Sequence, residues 1–84
     1  MDNSELLEDL AALLESKGVE IRRQAMGGGG GGLCRIKEKN VFFVDTECSV
    51  IEMIAICAKE VNRIVDTEAV YIKPQLREVL EKYA

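Results

Sequence analysis

The chain has no histidine and no tryptophan, and its only aromatic residues are Phe42, Phe43, Tyr71 and Tyr83. Without histidine, the Ser–His and Cys–His catalytic arrangements fall away, and so does the His-Glu-x-x-His zinc protease motif. With so few rings, the core must be built mainly from leucine, isoleucine and valine. The longest apolar run, Met53 to Ala58, is far short of the roughly 20 residues a membrane helix needs. The start of the chain, Met-Asp-Asn-Ser-Glu, is acidic and lacks the basic and apolar regions of a signal peptide, so a cytoplasmic setting is expected. The three cysteines, Cys34, Cys48 and Cys57, are odd in number, widely spaced and free of any Cys-x-x-Cys, so reduced thiols are expected.

What is present describes one small domain over residues 1–84. The composition is 48% hydrophobic and 31% charged, too apolar for a disordered chain. At 84 residues the core is small, which leaves homodimerisation open. Net charge is −4 but uneven. Residues 1–16 carry five acids and no base, whereas residues 17–39 carry six bases (Lys17, Arg22, Arg23, Arg35, Lys37, Lys39) against two acids. Residues 40–84 carry five bases against eight acids. The acidic whole argues against general nucleic-acid binding. It leaves room for one local anion site.

In chain order, Asp2 to Lys17 predicts an amphipathic helix, with Leu6, Leu7, Leu10, Leu13 and Leu14 in one stripe and Gly18 as its stop. Val19 to Ala25 alternates as a half-buried strand. Leu33 to Lys37 alternates too, with Cys34 and Ile36 on the face expected to point inward. Glu38-Lys39-Asn40 is expected to form the turn, with Asn40 best suited to positive φ. Val41 to Val44 is apolar on both faces, the pattern of the most covered strand. Ser49 with Glu52 forms a capping box for a second helix reaching Val65. Ala69 to Ile72 reads as a short edge strand or extended segment. Pro74 opens a last helix whose stripe is Leu76, Val79, Leu80 and Tyr83. Tight connections favour an antiparallel meander with helices on one face.

The glycine run, Gly27, Gly28, Gly29, Gly30, Gly31 and Gly32, is the most conspicuous feature. A phosphate loop would need Lys-Ser or Lys-Thr and then a helix; here a strand follows. The run therefore reads first as a flexible connection between strands. A binding site for a small anionic ligand, made from its free amides with Arg22 and Arg35, is the alternative. A mixed basic and apolar sheet face bearing Lys37 and Phe42 is a candidate docking surface for a partner or a second copy. Ile56, alone on the polar side of the second helix, is a further candidate contact. Asp45, Glu47, Cys48 and Glu52 gather between a strand end and a helix start. Without histidine they read as helix capping rather than as a metal site, and no cofactor is implied.

Gly-Gly-Leu-Cys-Arg-Ile-Lys, then Val-Phe-Phe-Val-Asp, a capped helix and a Tyr-Ile-Lys-Pro-x-Leu-Arg-Glu ending resemble a group of small bacterial proteins over residues 5–83. No activity is attached to that group. The resemblance implies a natural glycine run in a bacterial cytosol and transfers no catalytic residue. The layout is also similar to the minimal metallopeptidase fold. There, the helix after the hairpin carries the metal motif, where this chain has Met53-Ile-Ala-Ile-Cys-Ala-Lys59.

The expectation is an α+β two-layer domain, in the order α-β-β-β-α-(β)-α, with a three-stranded, mainly antiparallel sheet packed through Val19, Ile21, Cys34, Ile36, Val41 and Phe43. Its function is expected to be non-catalytic: an interaction or accessory protein, with the anion-binding module as the alternative. A metallopeptidase-like fold that has lost its active site is the third reading.

Overall fold

The structure, a computed structural model, describes every residue from Met1 to Ala84. Three helices, α1 (Asn3–Glu15), α2 (Val50–Ile64) and α3 (Pro74–Lys82), accompany three strands, β1 (Glu20–Gln24), β2 (Gly32–Ile36) and β3 (Lys39–Asp45). The class is α+β, and the order of elements is the one expected.

Each helix begins where its local chemistry allows. The Asp2 carboxylate caps α1 by accepting the Glu5 N–H at 2.8 Å, and the Ser49 hydroxyl caps α2 by accepting from Glu52 at 3.2 Å. Pro74 occupies the first turn of α3, where no N–H is needed. Leu7, Leu10 and Leu14 of α1 meet Met53, Ile54, Cys57 and Val61 of α2 in one core. Leu76 and Leu80 of α3 join it, and the Asn62 amide ties α2 to α3 by donating to the Leu80 carbonyl at 2.8 Å. Ala69 to Ile72 forms no strand; Ile72 is buried in the core instead.

The sheet is mixed, in the order β1-β3-β2, and is not a meander. β3 lies in the centre, parallel to β1 and antiparallel to β2. The end of β1 and the start of β2 therefore lie on opposite sides of β3, about 10 Å apart at two strand spacings. The glycine run bridges that gap across the C-terminal end of β3. The hairpin turn is also tighter than expected. Lys37 (φ 49°) and Glu38 (φ 66°) form a two-residue turn of the primed type, and Asn40 already belongs to β3.

Register decides which face is covered. Ile21, Phe42 and Leu33 form one row across the sheet, and Phe42 and Val44 belong to the helix-side core. Alternation sends Cys34, Ile36, Val41 and Phe43 to the opposite face, which no helix covers. This reverses the expected phase for those four residues, while Val19 and Ile21 do pack on the core. The reversal follows from strand position. A central strand that is apolar on both faces carries no phase information, and β2 is an edge strand that leaves Cys34 and Ile36 exposed.

Candidate functional site

Two features of the sheet attract attention, the glycine crossing and the uncovered face. At the end of β3 the Asp45 side chain is buried, at 1% exposure. One of its oxygens accepts the N–H groups of Met26 at 3.0 Å and Glu47 at 2.9 Å; the other accepts Gly30 at 3.2 Å. Glu47 in turn accepts the Gly27 N–H at 2.8 Å. Burial works against the Asp45 charge. Hydrogen bonds from the backbone of Glu47, Gly30 and Met26 outweigh it and hold the carboxyl below its usual range.

The expected flexible loop is thus held by two carboxylates of the same chain. Its amides at Gly27 and Gly30 already have anionic partners, so an anion cradle built from them would have to displace Asp45 and Glu47. Arg22 and Arg35 do not converge on it either. They lie on the two opposite edge strands, and Arg22 pairs with Glu20. Gly31 comes so close to β3 that a Cβ there would lie 2.2 Å from the Phe43 carbonyl oxygen. The run is therefore fitted over β3 at a defined contact.

Ile56, expected as a lone surface residue, is half-buried against the core, with its Cδ1 3.2 Å from where a Gly30 Cβ would stand. It packs beneath the crossing. Phe42, expected on a docking face, is fully buried on the helix side. Lys37 is exposed in the hairpin turn. Sequence reasoning missed Asp45 and Glu47 as the acceptors for the loop. The available signal was a carboxylate ending an apolar strand in a chain with six consecutive glycine residues, whose amides need acceptors when buried.

The face without helices carries Val41 and Phe43 at its centre, both buried among their neighbours, with exposed Cys34 and Ile36 along β2. Glu20 on β1 binds both Arg22 and Lys39, the latter at 2.9 Å, and these bonds from Lys39 and then Arg22 hold its carboxyl below the usual range. This ion cluster lies over the β1 side. The β2 side has no such cover, and Ile36 is 38% exposed.

The thiols are separate from one another. Cys48 donates to Glu52 at 3.0 Å, and that bond, then burial, raises the thiol above its ordinary value. Cys57 lies in the core, where burial pushes it up to about 12. No group of three or more histidine, cysteine, aspartate or glutamate side chains is placed to hold a metal ion. In the α2 turn where the metallopeptidase fold would carry its ligands, Met53, Ile54 and Cys57 face the core. Two shallow grooves flank α3, of about 210 and 190 Å³. Both fall below the roughly 300 Å³ at which small-molecule sites begin. No helix is long and apolar enough to cross a membrane. Comparison with protein-family models, curated proteins and solved structures finds no match.

Proposed function

We propose that this chain is a non-catalytic interaction module that docks another protein on the β2 side of its sheet. One observation carries the reading: helices cover a single face of the sheet, and on the other face Cys34 and Ile36 stand in solvent beside buried Val41 and Phe43. The chemistry of the remaining polar groups supports it. Asp45 is consumed by the loop amides, Cys48 is held as a neutral thiol by Glu52, and Cys57 is enclosed. None is left as a free nucleophile or base in a pocket.

Cys34 supplies the test, because it is an exposed thiol on the docking side. Its alkylation by a maleimide is measured in buffer and in a lysate of the protein's own host cells. A docked partner slows alkylation at Cys34 in the lysate. Equal rates in both media, after correction for competing thiols with an unrelated cysteine peptide, would overturn the proposal.

A further inference from the structure

We propose that the free edge of β2 receives an extended acidic segment of another protein as a fourth strand. The proposal rests on the docking reading above and names the occupant.

The hairpin register determines which backbone groups are free. Ile36 and Lys39 close the two-residue turn, so they form a hydrogen-bonded pair. Alternation then gives Cys34–Val41 and Gly32–Phe43 as bonded pairs, while Leu33 and Arg35 turn their N–H and C=O groups outward. No turn, loop, cap or side-chain hydrogen bond uses these groups. They form a ladder ready for another strand. The opposite edge is guarded. On β1, Arg22 is bound to Glu20, and Arg23 is bound to Glu8 of α1 at 2.6 Å. Such charged, tethered side chains discourage strand addition. β2 has one charge, at Arg35.

That charge identifies the partner's chemistry. Arg22, Arg23, Arg63 and Arg77 each have a carboxylate within 4.0 Å; Arg35 has none. Lys37, two residues further on, also lacks an acidic partner. A second copy of this chain fits poorly in the antiparallel registers that take Arg35 into the pairing. Antiparallel pairing centred on Cys34 would place the two Arg35 side chains diagonally adjacent, and pairing centred on Arg35 would oppose them directly. A segment of another chain with a carboxylate opposite Arg35 makes an attractive cross-strand pair instead. Its apolar residues would continue the row of Cys34 and Ile36 on the uncovered face.

The probe is an acetylated ten-residue peptide alternating glutamate and valine, added to the isotope-labelled full chain; a lysine–valine peptide is the control. The Leu33 and Arg35 amides are expected to shift with the glutamate peptide, and their hydrogen exchange to slow roughly tenfold at about ten times Kd. Arg35→Glu is expected to exchange the preference of the two peptides. Leu33 and Arg35 amides unmoved by the glutamate peptide would overturn the proposal. So would shifts of these amides with protein concentration alone, which would assign the edge to a second copy. Shifts confined to the Cys34 and Ile36 side chains, without amide protection, would also sink the edge strand while leaving docking on the face intact. Failure of the docking reading itself appears separately, as unprotected Cys34 in the lysate.

Discussion

The Asp45 carboxylate accepts the Gly30 N–H at 3.2 Å, and both residues are buried. Every group that Asp45 meets through a hydrogen bond is a donor, so the charged, acceptor-only form suits the site. Asp45→Asn would point an amide N–H at one of these donors in either orientation. The variant is expected to melt below the parent at pH 7, with faster amide exchange at Met26 and Gly30. The pH dependence has a definite sign. Because the folded carboxyl lies below its ordinary value of 3.8, its stabilisation is complete above that value and is lost as pH falls through the folded one. The gap between parent and variant melting temperatures should therefore shrink in strong acid. A gap that stays constant would contradict the assignment.

The glycines are not equivalent. Gly27 (φ +75°) has open space where a Cβ would stand, whereas Gly31 (φ +62°) would drive one into the Phe43 carbonyl. Gly27→Ala should cost about 1–2 kcal/mol, for the left-handed backbone alone. Gly31→Ala carries that cost plus the overlap with β3. It is expected to exceed Gly27→Ala by about 1–3 kcal/mol in urea unfolding, since β3 is central and can retreat only by breaking its pairing. Equal losses would mean that the run is a slack tether.

The helices were readable because their signals are local. Ser49 with Glu52, Asp2 before a leucine stripe, and Pro74 each act within one turn of chain. The hairpin was readable for the same reason, although its turn is Lys37-Glu38 rather than the Glu38-Lys39-Asn40 that Asn40 suggested. Strand order was hidden because it depends on where the glycine run lands. A connection of six or more residues between supposed neighbours was the physical hint, since adjacent antiparallel strands need only a few. The sheet phase was hidden by Val41 to Val44. Four apolar residues in succession fit either face, and Cys34 and Ile36 pointed the wrong way because an edge strand tolerates exposed apolar side chains.

That phase has an energetic consequence. Phe42 is fully buried against α1 and α2, so Phe42→Ala should cost about 3–5 kcal/mol in denaturant unfolding. Ile36→Ser, on the uncovered face at the end of an edge strand, should change stability by no more than about 0.5–1 kcal/mol. The reverse ranking would restore the opposite phase and remove the basis for docking through β2.

The three thiols provide an independent check on burial. Maleimide should react first with exposed Cys34 and more slowly with half-buried Cys48, whose thiol is raised by its bond to Glu52. Cys57 should react only on unfolding, being fully enclosed. Its raised value, about 12, also gives stability an alkaline limb. Below the ordinary thiol value of 9.0, Cys57 is neutral in both folded and unfolded chains and leaves stability unchanged with pH. Between that value and about 12 the unfolded thiol ionises while the folded one does not, so stability falls as pH rises. Cys57→Ala is expected to lower stability at pH 7, because it leaves a small cavity, and to lose part of this alkaline decline. Urea unfolding at pH 7 and at pH 10 separates the two effects. A decline just as steep in the variant would mean that Cys57 is not the thiol that the core keeps neutral.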